Sequence, residues 1–255
     1  MARFINFCKA NGITTADFSI TDRNRVKRRY KRASYKKETI YRILDSSALA
    51  HVAYVIDNTP YCTPTTHWRE GDTLYWHGSS ASRMIKQLKQ GVDVCVTVSR
   101  LDGFVLARSA FHHSVNYRSA MCFGKAMLVS NDEEKYRALN NMIDRFYPKR
   151  TCEMRAITQK ELKATTVIQM KIDVAAAKMR ASGPQDDEAD YATPIWAGVI
   201  PVTTIIASFQ PDDRLEKGIT PSEPLNVWLS GKRLADVLSE THQLYMNRLK
   251  QTEGK

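Results

Sequence analysis

The sequence predicts a mainly β fold, a barrel of antiparallel strands with helices at its ends. Three observations carry this. Short runs rich in Val, Tyr, Thr and Trp recur from residue 49 onward. Tight-turn dipeptides, Asp57-Asn58 and Gly71-Asp72, separate the first of them. Helical periodicity is confined to a few segments, too few to alternate with the strands as a doubly wound sheet requires.

Taken in order, Glu38 to Leu49 reads as a short helix. Strands follow at 49–57 (LAHVAYVID), 61–68 (YCTPTTHW) and 73–77. A helix over 80–90 places Met84, Ile85 and Leu88 on one face, with Gly91 as its stop. The run 92–100 turns at Asp102-Gly103 into 104–110, and 117–129 is the next strand, where Gly124 suggests a bulge or bend. Ser130 to Phe146 is a helix, with Ser130 and Glu133 as its capping box and Pro148 beyond its end. A strand at 166–173 leads into a polar loop. Pro201 to Phe209 reads as a final strand or strap, and Leu225 to Leu249 as helical at its end. The chain thus divides into a basic arm (1–37), a β-rich domain (38–210) and a C-terminal extension (211–255).

Composition bounds the function. With 255 residues, 43% of them hydrophobic, the chain can bury a sizeable core. No run approaches the ~18 apolar residues that span a bilayer, so no membrane partner is expected. The opening MARFINFCKANG lacks the pattern of a secretory signal, and five scattered cysteines with no CxxC pair suit reduced thiols in the cytoplasm. The net charge of +11 is concentrated. Residues 23–37, RNRVKRRYKRASYKK, hold nine Lys and Arg and no acid, and the rest of the chain is nearly balanced. The run reads as a solvated leader or a strap along the domain. Nucleic-acid binding through phosphate contacts is the alternative, although no nucleic-acid motif accompanies it.

Three stretches concentrate polar chemistry. In LYWHGSSASRMIKQL (74–88) an apolar strand runs into His77 and Gly78, then Ser79, Ser80, Ser82 and Arg83, with Lys86 one helical turn on. A strand-to-helix corner exposes backbone N–H groups, and Arg83 adds a bidentate donor, which together suit a phosphate. Plain serine capping beside a solvated basic face is the competing reading. In ARSAFHHSVNYRS (107–119), His112, His113, Asn116, Tyr117 and Arg118 lie between two apolar strands, denser in polar groups than a hairpin turn needs. Adjacent histidines on an extended chain point to opposite faces and no third ligand is spaced to join them, so no metal site is expected. In DDEADYATPIWAG (186–198), Trp196 is either an anchor into the core or an aromatic cover over a flat ring. No hydrolase elbow, Walker loop or GxGxxG is present.

The blocks DTLYWHGSSASRMIKQL, VDVCVTVSRLDGFVLARSAFHHSVNYRSAMCFGKA and DDEADYATPIWAGVIPV resemble the flavin-nucleotide-binding branch of the pyridoxamine 5′-phosphate oxidase-like superfamily, most nearly the Nim-type nitroimidazole reductases. The resemblance spans about residues 38 to 205. It implies a split β-barrel that homodimerises and holds FMN in clefts at the dimer interface. The phosphate would be gripped by Ser79, Ser80, Ser82, Arg83 and Lys86, with Gly78 at the turn. Thr65, Thr66, Val96 and Thr97 would neighbour the ring, and His113, Asn116, Arg118 and Trp196 would approach it. His77 matches the histidine that the Nim branch places beside the flavin.

The expected function is therefore an FMN-dependent oxidoreductase that reduces nitro or related conjugated acceptors, with His77 supplying or orienting a proton. A flavin-binding protein without catalysis is the alternative, as is pyridoxamine 5′-phosphate oxidase activity. That last activity is weakened by the tail. Arg248-Leu249-Lys250 runs into Gln251, where true oxidases resemble one another in an Arg-Leu-x-Pro ending.

Overall fold

The computed structural model describes residues 17–88 and 91–253. Nine strands form one sheet: β1 (Ala33–Ser34), β2 (Leu49–Ile56), β3 (Thr59–Glu70), β4 (Thr73–Ser79), β5 (Val92–Leu106), β6 (Ser114–Leu128), β7 (Thr165–Lys171), β8 (Val174–Arg180) and β9 (Gly198–Pro201). Among the described residues five α-helices surround it: α1 (Lys37–Asp45), α2 (Arg83–Leu88), α3 (Asp132–Phe146), α4 (Gln159–Ala164) and α5 (Leu234–Glu253). Among the described residues no helix is long and apolar enough to cross a membrane.

The pairing β6-β7-β4-β3-β2-β5 closes on itself because β5 also pairs with β6, so six strands make a barrel. β8 and β9 extend the sheet at its flanks. Closure is split. Along one edge of β6, residues 117–123 pair with β8, and residues 126–128 pair with β7. Gly124 sits at this handover. A Cβ there would lie 2.2 Å from the Lys171 carbonyl oxygen and 2.9 Å from Met170 Cγ. The glycine expected to mark a bulge is instead required by a close backbone approach, and the β5–β6 ladder runs through it unbroken.

Period-two alternation sorts the strands. Val52, Leu74, Trp76, Val94, Val96 and Val98 point into the barrel and are essentially inaccessible. α2 closes one barrel end with Met84, Ile85 and Leu88, and α1 contributes Ile40, Ile43 and Leu44 to the same core. On the outside, Trp68 and Val167 meet Leu139 of α3 and Leu162 of α4 in a second apolar cluster.

Several boundaries differ from expectation for physical reasons. The runs 92–100 and 104–110 are one strand, because Asp102-Gly103 makes a register shift in β5 and not a turn. α3 is capped one residue later than expected, Asn131 accepting from the Glu134 N–H. β8 falls where the sequence predicts a polar loop. Its alanines are buried because residues 17–36 lie across them: Phe18 joins the core, and Asn24 Nδ2 donates to the Ala175 carbonyl at 2.9 Å. The last strand lies at 198–201, ahead of the expected 201–209. The helical end of the tail is α5, preceded by a 3₁₀ turn, Glu223–Trp228, where Trp228 Nε1 donates to the Phe146 carbonyl.

α5 docks through a buried charged network. Arg69 on β3 makes a fork to Asp45 at the end of α1, Nε to Oδ1 at 2.9 Å and Nη2 to Oδ2 at 2.5 Å. His242 of α5 brings Nε2 to 2.9 Å from Arg69 Nη2. The same imidazole nitrogen lies 3.2 Å from Asp45 Oδ2, so the imidazole sits between the guanidinium and the carboxylate. Arg145 of α3 donates to Thr241 Oγ1 and to the Asp45 carbonyl. Burial alone would raise the Asp45 carboxyl pKa, but Arg69, His242 and Arg145 hold it below its ordinary value.

Two predictions follow from these constraints. Gly124→Ala should lower the unfolding midpoint, since the new methyl must displace backbone, an overpacking cost of about 1–3 kcal/mol or more. A midpoint within error of wild type would contradict the crossing geometry. The second concerns acid stability. Burial pushes His67 down to about 4 and His242 to about 3, against an ordinary 6.5. Below that ordinary value the unfolded chain binds protons that the folded chain refuses. Stability should thus be flat above pH 6.5 and fall as pH drops toward 4, by up to about 1.4 kcal/mol per pH unit for each histidine. Urea midpoints measured from pH 7.5 to 4.5 test this, and His242→Asn should flatten the slope.

Candidate functional site

The register places a cleft at one corner of the barrel. β3 pairs with β4 only from Glu70↔Thr73 to His67↔Trp76. From Thr66 onward β3 pairs with β2, while β4 continues through His77, Gly78 and Ser79 against β7 alone. The two strands part between Thr66 and His77, and the chain then turns into α2.

The corner is built closely. Gly78 lets α2 lie against the strand end, since a Cβ there would be 3.0 Å from Ile85 Cγ1. Ser79 Oγ accepts from the Ala81 N–H and Ser82 Oγ from the Ile85 N–H. Ser82 therefore caps α2 while Ser79 closes the turn before it, and both hydroxyl protons remain available as donors. Ser80 and Lys86 are exposed. The Arg83 guanidinium lies 5.3 Å from the Tyr61 ring centroid, a stacking contact that holds it without a counter-ion. Among the described residues neither Arg83 nor Lys86 has an acidic partner. Because α2 is only six residues long, these side chains and not a helix dipole supply the positive charge.

His77 is half-buried beside this corner. Its Nδ1 is buried and has no hydrogen-bond partner among the described residues. Burial lowers its pKa, so the ring is neutral at pH 7. A neutral imidazole accepts a hydrogen bond or ligates a metal more readily than it donates a proton.

The structure sorts the remaining predicted residues. Thr66 pairs with Leu49 and Thr97 with His51, which puts both threonines on the outer face of the sheet. Thr65 pairs with Ala50 and Val96 with Val52, on the inner face, and Val96 is fully buried in the core. Asn116 is buried, its Oδ1 accepting from Arg180 Nη1 at 2.6 Å and from the Ser182 N–H. Arg118 makes a fork to Asp102 at 2.7 and 2.8 Å. His113 Nδ1 donates to the Ser109 carbonyl. Those three are engaged with their own chain. Trp196 packs edge-on against Gly198 and is 66% exposed, and Phe111, in the 3₁₀ turn Ala110–His112, is 88% exposed. Trp196 is thus no core anchor. His112, without His113, has two acidic neighbours from another loop. The turn at 188–192 carries Asp190, and with Asp187 it comes within 4.8 Å of His112, because Asp186 is held by the Arg108 N–H and guanidinium. Sequence spacing carries no signal for that contact, which is made by two loops about 75 residues apart in the chain.

A split six-stranded barrel agrees with the comparisons. The family model described as pyridoxamine 5′-phosphate oxidase matches residues 36–179. The chain belongs to that family. Within it, this protein is similar to the flavocytochrome Anf3 from Azotobacter vinelandii, at 43% identity over 83% of this chain and 98% of that one, with a TM-score of 0.78. It is similar to the FAD and heme binding protein from Mycobacterium smegmatis at 36% identity, covering 80% and 98% of the two chains, with a TM-score of 0.76. A third structure, a putative 5-nitroimidazole antibiotic resistance protein from Bacteroides thetaiotaomicron, aligns at 27% identity over 57% and 85%, with a TM-score of 0.48. No curated protein matches the chain.

Proposed function

We propose that this family member is a flavin-binding redox protein that holds the flavin phosphate at the Ser79–Lys86 corner. The observation that carries the reading is the pair of cations there. Arg83 and Lys86 face solvent without an acidic partner among the described residues, beside three serines and a half-buried histidine. An isolated pair of cations at a strand-to-helix corner is the arrangement a phosphate neutralises. The name of the Mycobacterium smegmatis relative favours FAD over the FMN expected from sequence.

The names of the two long relatives bring haem into the reading. A haem iron takes a neutral imidazole, and lowered basicity keeps His77 in that form at neutral pH. When bound, flavin supplies hydride and electron transfer and haem supplies single-electron transfer. The chain's own groups do the rest. Arg83 and Lys86 bind and orient the phosphate, and Thr66 and Thr97 offer hydroxyls on the outer face beside the cleft. His77 orients or ligates, which favours electron transfer over a proton-donating nitroreductase. Reduction of nitro or related acceptors is the narrower proposal within this reading.

A second copy of the chain belongs to the proposal. Phe111, Trp196 and Leu49 are large apolar side chains exposed on the surface of one copy, and pairing would cover such surface.

The decisive experiment is the visible spectrum of the purified protein, with the released flavin identified chromatographically. A flavin-free protein that takes up neither FAD nor FMN would refute the reading. Arg83→Ala should weaken flavin binding by about 1.5–3 kcal/mol, roughly ten- to a hundredfold. Equal affinity in titrations of the apo forms would remove Arg83 from the role. His77→Ala should retain flavin and change or abolish the haem Soret band. An unaltered band would exclude it as a ligand. Sedimentation of the flavin-loaded protein should give a dimer, and a monomer that keeps its flavin would overturn the two-copy arrangement.

A further inference from the structure

The C-terminal segment and the β5–β6 ribbon enclose a small cavity of about 50 Å³ that lies outside the flavin corner. One wall is β5 at its register shift, Arg100 to Asp102. The second is the strap after β9, Val202 to Thr204. The third is the first turn of α5, with Arg233 just before it. The strap is tied down on both sides, the Val202 N–H donating to the Asp102 carbonyl and the Leu234 N–H to the Thr204 carbonyl.

The charges around this cavity do not cancel. Asp102 is occupied by the Arg118 fork. Arg100 reaches the same carboxylate only at 3.5 Å through Nη2, and its Nη1 is buried with no hydrogen-bond partner among the described residues. Arg233 has a loose partner, Asp236 at 3.8 Å, with both side chains more than half exposed. Three guanidinium groups thus face two carboxylates. Burial, then the neighbouring Arg118 and Arg233, make the charged form of Arg100 harder to hold than usual. A buried guanidinium nitrogen left without an acceptor is costly, and an anion beside it removes that cost. Besides the Asp102 carboxylate and apolar side chains, the lining offers further donors. Thr203 and Thr204 carry hydroxyls, and the Ala235 N–H, in the first turn of a twenty-residue helix, has no backbone partner among the described residues. That turn carries the positive end of the helix dipole.

We propose that this cavity binds a tetrahedral oxyanion, a phosphoryl group in particular, and that the bound anion clamps the C-terminal segment onto the β5–β6 ribbon. Size selects the class. At about 10–15 Å³ for each water-sized group, the cavity admits roughly three to five of them, enough for one oxyanion and too few for a nucleobase or a flavin ring. Donors on three walls suit a tetrahedral anion better than a planar carboxylate, which presents two oxygens in one plane. The inference does not depend on the flavin reading, since none of the residues lining this cavity belongs to the flavin corner.

The test is calorimetric titration of inorganic phosphate into the full chain as purified, at constant ionic strength, with acetate and chloride as comparison anions. Thermal unfolding is followed in parallel, because a ligand of the folded state raises the midpoint as its concentration passes Kd. Wild type should bind one phosphate saturably, in preference to acetate, and show a midpoint shift that chloride does not reproduce. Arg100→Gln should weaken phosphate binding at least tenfold, and Arg233→Gln several-fold. Arg155→Gln, whose charge is paired with Glu161 elsewhere on the surface, should leave it unchanged. Arg233 is more than half exposed, so its variant keeps the test open if Arg100→Gln fails to fold. Glycerol 3-phosphate in place of inorganic phosphate tells a phosphoryl group carried on a larger molecule from the free anion. Absence of saturable phosphate binding in wild type, or equal affinity in wild type and in every folded variant, would overturn the proposal. Flavin absorbance recorded on the same samples keeps this outcome separate from failure of the flavin reading.

Discussion

The fold turns on a single crossing, where the Lys171 carbonyl of β7 passes over Gly124 of β6 with no room for a side chain. At that point β6 passes from β8 to β7, and the sheet closes into a barrel while leaving β8 free to continue outside. Everything at the candidate site is downstream of this. β7 carries β4 beyond the end of β3, so His77 to Ser79 project past the barrel wall. The turn into α2 then brings Arg83 and Lys86 to the same corner. A barrel closed by full-length pairing of β3 with β4 would bury that corner in the sheet.

Charge does a second structural task. Asp45, Arg69, Arg145 and His242 come from α1, β3, α3 and α5, and their contacts join the C-terminal helix to the barrel. Such buried networks add little net stability compared with an apolar core, because each ion loses its hydration. They do select one docking geometry, since any other leaves a charge unpaired. This explains how a helix whose buried side includes Thr241 and His242 keeps one seat on the barrel.

The polar loop at 107–119 has structural work of its own. Asn116 and Arg118 meet Arg180 and Asp102 of the same chain. A buried polar group must find a partner, and strands distant in sequence supplied these. The groups left over in that region, Arg100 above all, were inconspicuous in sequence, because an arginine in a strand carries no mark of which acid it will fail to reach.

Local rules were enough for much of this protein. Alternation and turn dipeptides located β2 to β4, with Asp57 and Asn58 in the positive-φ turn between the first two, and the Gly-Ser-Arg corner was legible because glycine, capping serines and basic residues are chosen by the backbone beside them. The alanine-rich β8 was invisible, since its strand state depends on burial beneath residues 17–36 and not on its own propensity. The depressed basicity of His77, the separation of Thr65 and Val96 from Thr66 and Thr97, and the grouping of His112 with Asp187 and Asp190 also lay beyond sequence. Each depends on distances between segments far apart in the chain, and only closure of the barrel sets those distances.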